Sequence, residues 1–303
     1  MHKLIITGKN TEQYRTLIES AKLPDLNVVD SFDDVDIILG EPTSIRKLLP
    51  NLSALKWAQA TWAGVEPLLD ESLRRDYTLT NARGVFGGLI SEFVFGYLLL
   101  HERKILQRLE AQKQTQWDNS LTGTLRGKTI GLLGVGSIGA HLAGMAKCFG
   151  MRVHGYTRSS EISSQVDRYY HGTELQSFAA SLDILVSVLP DTKETCGIIN
   201  AELLTALPDG ATLINVGRGS AVDETALMAA LDNNQLAMAV LDVFEQEPLS
   251  AQHPFWKANN LFITSHTAAP SFPIDIAGVF IENYWLFLNG KPLKYQVDFE
   301  LGY

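Results

Sequence analysis

Two positions in the second half of the chain could bind and protonate a small acid. Arg218 stands between Gly217 and Gly219 at the end of an apolar run. Its guanidinium could hold a carboxylate in a bidentate fork and polarise a neighbouring carbonyl. His266 follows a later apolar run and could donate a proton, because a carboxylate beside it would favour the imidazolium.

Three acidic residues could supply that carboxylate. Asp242, Glu245 and Glu247 lie in the segment LDVFEQEP, again directly after an apolar run. Their spacing does not choose among them. Arginine, acid and histidine at three strand ends of one α/β unit nevertheless indicate a shared site, since open α/β sheets bind ligands at the carboxyl ends of their strands.

A glycine pattern nearer the middle of the chain predicts a dinucleotide site. Gly134, Gly136 and Gly139 have the spacing G-x-G-x-x-G, after an apolar run and before an amphipathic segment that includes Ser137 and Ile138. In such a strand–turn–helix unit the glycines allow the tight turn, the approach of a pyrophosphate and close helix packing. The helix start supplies N–H donors for the phosphates.

The end of the following strand favours NADP(H) over NAD(H). NAD-binding units place an acidic residue there to bind the ribose hydroxyls, whereas this chain has Thr157, Arg158 and Ser159. An arginine and hydroxyls can bind a 2′-phosphate that a carboxylate would repel. The alternative is that Arg158 is a solvated loop residue and the chain uses NAD.

The elements that position these residues predict an α/β fold with two Rossmann-like or flavodoxin-like parallel-sheet domains and a cleft between them. We expect a substrate-binding domain over 1–95 plus 289–303, onto which the tail from 293 packs, and an NAD(P)-binding domain over 96–288. Predicted strands are 3–7, 27–29, 36–39, 56–60, 78–80, 129–133, 152–156, 184–188, 212–215, 237–241 and 261–263. Predicted helices are 11–21, 44–49, 65–74, 88–116, 137–149, 173–180, 201–206, 223–233 and 274–288.

Composition indicates a soluble globular protein. Hydrophobic residues make up 46% and charged residues 19% of the 303 residues, and the formal charge is −9 with no basic block. This argues against nucleic-acid and membrane partners. Cys148 and Cys196 are interpreted as buried thiols of a cytoplasmic protein. No cluster has metal-ligand spacing, so we expect no metal.

Four other histidines lack a partner motif in the sequence. His101, His141, His154 and His171 are interpreted as ordinary surface or packing residues.

Taken together, the segments GVGSIG, NVGRGS, LDVFEQEP and SHTAAP resemble the D-isomer-specific 2-hydroxyacid dehydrogenases over nearly the whole chain. The arginine after the second strand and the C-terminal tail are most similar to the glyoxylate/hydroxypyruvate reductase branch. The resemblance implies hydride transfer between NAD(P)H and a short 2-oxo acid. It implies that Arg218 binds the substrate, that His266 is the general acid/base paired with Glu247, and that Asp242 lies at the nicotinamide carboxamide.

The resemblance also implies further contacts and a partner. Pro190, Thr195, Val216 and Gly217 would border the cofactor, the helical stretch 88–116 would build a homodimer, and the substrate turn would be Trp62, Ala63 and Gly64. Two alternatives remain open at this point. One is an NAD-dependent phosphoglycerate dehydrogenase-like enzyme, and the other is a non-enzymatic, dinucleotide-sensing binding protein.

Overall fold

The computed structural model describes residues 1–302, so Tyr303, the last residue of the predicted tail, lies outside the described residues. No helix among them is both long and apolar enough to cross a membrane. The elements in chain order are β1 (His2–Thr7), α1 (Thr11–Ser20), β2 (Leu26–Val28), β3 (Ile37–Gly40), α2 (Pro42–Leu48), β4 (Trp57–Ala60), β5 (Thr78–Thr80), α3 (Gly87–Glu102), α4 (Ile105–Lys113), β6 (Thr129–Leu133), α5 (Ser137–Cys148), β7 (Arg152–Tyr156), β8 (Arg168–Tyr170), α6 (Leu175–Ala179), β9 (Ile184–Ser187), α7 (Ala201–Ala206), β10 (Ala211–Asn215), α8 (Glu224–Asp232), β11 (Leu236–Leu241), β12 (Leu261–Ile263) and α9 (Pro273–Leu288).

The chain divides into two compact units, and both are parallel α/β structures, as predicted. The first unit is Met1–Val85 with Ser271–Tyr303, and the second is Phe86–Pro270. This division differs from the predicted one at both junctions. The helix α3 packs in the second unit, where Phe95 stacks on Phe149 with ring centroids 4.8 Å apart, and α9 packs in the first.

The sheet of the first unit has five parallel strands in the order β2-β1-β3-β4-β5. Every residue of β3 and β4 is buried, as expected for central strands covered on both faces. The helix α9 covers this sheet: Phe280 stacks on Trp57 with centroids 4.9 Å apart, and the Tyr284 hydroxyl donates to the Pro24 carbonyl at 2.7 Å. The predicted packing of the tail is confirmed, since the Val297 N–H donates to the Leu79 carbonyl at 2.9 Å.

The sheet of the second unit has seven parallel strands in the order β12-β11-β10-β9-β6-β7-β8. The first strand of the unit, β6, lies between β7 and β9, so the chain winds outward in both directions from this point. This is the doubly wound order of dinucleotide-binding sheets, with its topological switch between β6 and β9. The predicted strands of this unit all form, and β8 was missed.

Two predicted helices differ from the structure. Over 65–74 the chain makes only the short 3-10 turn Glu66–Leu68, because the Asp70 carboxylate accepts the Ser72 N–H at 3.0 Å and a side-chain bond of this kind competes with helix formation. The predicted helix 88–116 is two helices, α3 and α4, because Lys104 between them has a left-handed φ of 51°.

The prediction of buried cysteines is wrong. Cys148 and Cys196 are both exposed free thiols. Cys148 is the last residue of α5, and Cys196 lies in the loop after β9. The prediction was based on the apolar residues next to each cysteine in the sequence. Burial of those neighbours does not require burial of the cysteine itself.

Candidate active site

The carboxyl ends of all seven strands of the second unit lie along one edge of its sheet. Leu133, the last residue of β6, pairs with Tyr156 of β7 and with Ser187 of β9. Asn215, the last residue of β10, pairs with Ser187 and with Leu241 of β11. Because these strands are parallel and in register, the loops after them emerge at the same edge. Every predicted catalytic or cofactor residue of this unit follows one of these strands.

The glycine loop after β6 leaves an open face beside a helix start. Gly134 has a φ of +94°, which favours glycine. A Cβ on Gly139 would lie 2.3 Å from the Gly134 carbonyl oxygen, whereas a Cβ on Gly136 would meet nothing within 4 Å. No side chain of the described residues caps the first turn of α5, so the N–H groups of Ser137 and Ile138 can bind an anion. The loop therefore fits the pyrophosphate of a dinucleotide.

The turn after β7 holds Thr157 where NAD-binding sheets place an acid. Thr157 is buried, and Arg158 and Ser159 are exposed. The pKa of Glu194, in the loop after β9, is lowered by its own backbone amide and the Thr192 hydroxyl, and the charge of Arg158 adds to this effect. An arginine and hydroxyls at this position suit a 2′-phosphate.

The loop after β9 is tied together by Thr195. Its hydroxyl donates to the Pro190 carbonyl at 2.7 Å and accepts the Thr192 N–H at 2.9 Å. These bonds fix Pro190 and Thr195, the two residues of this loop that are predicted to border the cofactor, relative to each other.

The glycines around Arg218 are required by close packing of the backbone. A Cβ on Gly217 would lie 2.7 Å from the Leu189 nitrogen, and a Cβ on Gly219 would lie 1.8 Å from the Phe244 carbonyl carbon. The loop after β10 thus packs closely between the loop after β9 and the loop after β11. The Asn215 amide donates to the Arg218 carbonyl at 2.8 Å, so the backbone that carries the half-buried guanidinium is held in place. Val216 is the residue between this anchor and Gly217.

Asp242 anchors the loop that carries the histidine. Only 2% of Asp242 is exposed, and one carboxylate oxygen accepts the Thr264 hydroxyl and the Thr267 N–H. The other accepts the Ala268 N–H at 2.9 Å, and the Asp242 carbonyl accepts the His266 N–H at 2.8 Å. Sequence analysis missed this anchoring, because three of its four donors are backbone N–H groups that no side-chain pattern reveals.

Among the three candidate acids, the structure pairs Glu247 with the histidine. The His266 Nδ1 lies 2.8 Å from one Glu247 oxygen, and the other oxygen accepts the Phe244 N–H at 3.0 Å. His266 has a left-handed φ of 56°, and its side chain is 56% exposed. Within residues 1–302 its Nε2 makes no hydrogen bond, so this atom is available to a ligand. Glu245 is exposed and takes no part in this pair.

In the first unit, the turn after β4 offers backbone donors. The Trp62 carbonyl accepts the Ala82 N–H at 3.0 Å, and the Ala63 carbonyl accepts the Asn81 amide at 2.8 Å. These bonds fix the turn through its acceptors. The N–H groups of Ala63 and Gly64 donate no hydrogen bond within the part of the chain that the structure describes, and donors of this kind suit a carboxylate.

Fold and sheet edge together define a dinucleotide-binding α/β protein. Residues 95–268 match the family model of the D-isomer specific 2-hydroxyacid dehydrogenase, NAD binding domain. The chain is 32% identical over 256 residues to glyoxylate/hydroxypyruvate reductase A of Salmonella heidelberg, covering 82% of each chain. It therefore belongs to the D-isomer specific 2-hydroxyacid dehydrogenase family, which confirms the resemblance seen in the sequence.

Solved structures agree with this assignment. A family member from Aeromonas salmonicida is 43% identical, with a TM-score of 0.91 over 98% of this chain and 99% of that one. An NADPH-dependent glyoxylate/hydroxypyruvate reductase from Sinorhizobium meliloti, solved in complex with NADP and sulfate, is 28% identical, with a TM-score of 0.89 over 100% of both chains.

Proposed function

We propose that this protein reduces a short 2-oxo acid such as glyoxylate or hydroxypyruvate to the corresponding 2-hydroxy acid, the D-isomer where the product is chiral, with NADPH as its preferred cofactor and NADH as a poorer one. The family, the reductase names of its relatives and the arginine after β7 support this reading. The second unit is the cofactor-binding domain, and the first unit binds substrate.

The cofactor assignment follows the loops of the sheet edge. Bound NADPH supplies the hydride that reduces the carbonyl carbon. The glycine loop and the start of α5 would hold the pyrophosphate, and Arg158 and Ser159 would hold the 2′-phosphate. The hydroxyl of Thr157, the third residue predicted for this role, donates to the Ser160 carbonyl at 2.7 Å, so Thr157 would shape the turn. The residues proposed to border the remaining part of the cofactor are Pro190, Thr195, Val216, Gly217 and Asp242.

Three side chains perform the chemistry of the substrate. Arg218 binds the carboxylate and polarises the carbonyl oxygen, which becomes negative as the carbon is reduced. Nε2 of His266 gives its proton to that oxygen and completes the hydroxyl group. The Glu247 carboxylate binds Nδ1, so Nε2 points away from that carboxylate. The negative charge of Glu247 also stabilises the imidazolium form of the ring. In the first unit, the N–H groups of the Trp62, Ala63 and Gly64 turn bind the substrate carboxylate.

The observation that carries this proposal is the 2.8 Å contact between His266 and Glu247 at the same sheet edge as the glycine loop. The direct test is NADPH oxidation at 340 nm with glyoxylate, hydroxypyruvate and phenylpyruvate, repeated with NADH. We expect turnover with the two smaller acids and a higher kcat/KM with NADPH. NADPH binding without turnover on any of the three acids would contradict the enzymatic reading and favour a sensing role.

A homodimer built through α4 is also part of the proposal. None of the residues of α4 is buried, and its apolar residues Ile105, Leu106 and Leu109 are exposed. Trp117 and Leu121, which follow it, are 94% and 89% exposed. A cavity of about 570 Å³ beside α4 has a lining that includes Leu100, Leu106 and Phe262. Exposed apolar residues that are clustered in this way are typical of an interface, and a second copy of the chain would bury them.

Sedimentation velocity tests the dimer. The double variant Leu106→Asp, Leu109→Asp should sediment as a monomer at concentrations where the wild type is a dimer. Ile274→Asp, on an exposed apolar residue of α9, is the matched control and should leave the dimer intact. A monomeric wild type would refute the proposed interface.

We also propose that the protein works in the cytoplasm. Its two free, exposed thiols are typical of a reducing compartment. Fractionation of the source cells, with antibody detection, tests this location, and recovery of the protein outside the cytoplasmic fraction would refute it.

A further inference from the structure

His171 contacts the turn that carries Arg158, although its sequence context suggested no role. It follows β8 directly, at the sheet edge described above. Its Nδ1 lies 2.9 Å from the Thr157 carbonyl oxygen and 3.2 Å from the Thr157 hydroxyl oxygen. Its Nε2 lies 3.1 Å from a Glu161 carboxylate oxygen. The ring therefore bridges the first and last residues of the turn 157–161.

The partners of the ring favour its protonated form. A carbonyl oxygen and a carboxylate oxygen accept hydrogen bonds. When the ring is protonated, each nitrogen carries an N–H that can donate to one of these oxygens, so both contacts stabilise the cation. The hydrogen bond to Glu161, followed by the bond to the Thr157 carbonyl, raises the pKa of His171 above its usual value.

Two further hydrogen bonds help to fix the shape of this turn. The Thr157 hydroxyl donates to the Ser160 carbonyl at 2.7 Å, and the His171 N–H donates to the Glu174 carboxylate at 3.0 Å. These bonds connect the ends of β7 and β8 to the turn. Arg158 and Ser159, the residues assigned to the 2′-phosphate, lie inside this bonded frame.

The charges around the ring are mostly negative. Glu161, which is 59% exposed, and Glu174 both act on His171, and the Tyr169 ring stacks on it with centroids 6.3 Å apart. Arg158 is the cation of the turn itself. Without the imidazolium, the two carboxylates beside this turn would lose a counter-charge, and their negative charge would disfavour a bound phosphate.

We propose that His171 is a positioning residue for the 2′-phosphate of NADP and a proton-dependent determinant of the preference for NADPH over NADH. This inference rests on the proposed cofactor. In its protonated form His171 neutralises Glu161 and fixes the turn. When the proton leaves Nε2, the contact with Glu161 is lost, and that carboxylate faces the phosphate without a counter-charge.

The sign of the pH effect follows from the raised pKa. The favourable contribution to NADPH binding is complete at low pH and is lost as pH rises through the pKa of His171 in the folded protein. NADH has no 2′-phosphate, so its affinity should change little over the same range. The 2′-phosphate has its own ionisation near a pKa of about 6, and this effect is common to the wild type and every variant.

Equilibrium binding of NADPH and NADH to the whole protein, without substrate, tests the proposal through nicotinamide fluorescence between about pH 6 and pH 9, spanning the usual histidine range. The matched variant is His171→Asn, whose amide can still donate to the Thr157 carbonyl but carries no charge. At low pH we expect this variant to bind NADPH about two- to five-fold more weakly than the wild type, the size typical of an exposed charge pair. The two proteins should converge at high pH.

A second variant, Glu161→Gln, removes the carboxylate. It should bind NADPH more tightly than the wild type at high pH and show a smaller pH dependence. NADH affinity should stay within about two-fold in both variants.

Two results would overturn the inference while leaving the proposed function intact. One is an identical pH dependence of the NADPH-to-NADH affinity ratio in the wild type and His171→Asn. The other is an equal loss of both cofactors in that variant, which would make His171 a structural residue only. A wild type that binds neither nucleotide would instead refute the proposed cofactor.

Discussion

The two ends of one sheet edge are built in different ways. At the end near β11 and β12, the buried carboxylate of Asp242 takes three donors from the loop that presents His266. At the end near β7 and β8, an exposed pair of His171 and Glu161 holds the turn with Arg158. Burial makes the first arrangement insensitive to solvent, whereas the second changes with protonation and is screened by salt.

This difference separates two functions. Changes near β11 and β12 should affect turnover and stability with little effect on which nucleotide binds. Changes near β7 and β8 should affect the choice of nucleotide with little effect on stability. Each prediction below tests one side of this division.

The largest effect is expected for His266→Asn. Removing the proton donor should lower kcat by about 10²–10⁴-fold, because general acid catalysis contributes that much, while the Kd of NADPH stays unchanged. Steady-state rates and nucleotide fluorescence titration measure the two quantities. His253→Asn is the matched control, since His253 also pairs with a glutamate, Glu224, at 3.0 Å, and it should keep full activity. A near-normal kcat in His266→Asn would refute the assignment.

A smaller effect on both stability and rate is expected for Asp242→Ala. The Thr267 and Ala268 N–H groups lose their acceptor, and leaving such groups unpaired costs about 1–3 kcal/mol of unfolding free energy. Urea unfolding measures this loss. The kcat should fall because the loop that carries His266 loses its bonds to the Asp242 carboxylate on both sides of the histidine, although the backbone bond of His266 remains. The control is Asp183→Ala at the opposite edge of the sheet, directly before β9, where the Asp183 carboxylate accepts the Thr129 N–H at 2.7 Å. That control should lose stability without a specific loss of kcat, and an unchanged kcat in Asp242→Ala would contradict the anchoring role.

The smallest of the three effects is a change of nucleotide preference in Arg158→Gln. Loss of a charge-assisted bond to the 2′-phosphate should raise the Kd of NADPH about ten-fold, with little change in the Kd of NADH. Arg168→Gln is the control, because Arg168 lies on the adjacent strand β8 with its guanidinium over the Tyr170 ring. If the variant at position 158 weakened both nucleotides equally, Arg158 would not select the phosphate.

The sequence predicted the parts of the fold that depend on local patterns. The strands β6 and β7 were predicted at their observed bounds. The first is an apolar run that ends at Gly134, and the second follows the helix that the glycine pattern predicts. The strand β8 was missed because Arg-Tyr-Tyr has no apolar run. The helix predicted over 65–74 did not form, because bonds to Asp70 replaced helical ones.

The same distinction applies to the site. Arg218 and His266 were predicted as site residues because each follows a strand end, and that role stays a prediction. The contact between His266 and Glu247 was implied by the resemblance and is present. The anchoring by Asp242 was missed, because its partners lie 22–26 positions away and most are backbone groups. The contacts of His171 were missed for the same reason, since the Thr157 carbonyl is 14 positions away.

The most direct test of the central claim is a crystal structure with NADPH and oxamate, an unreactive analogue of a short 2-oxo acid. The account expects the oxamate carboxylate on Arg218, an oxamate oxygen within hydrogen-bond distance of His266 Nε2, and Nδ1 still on Glu247. Oxamate bound away from Arg218, or His266 separated from Glu247 in the complex, would contradict it.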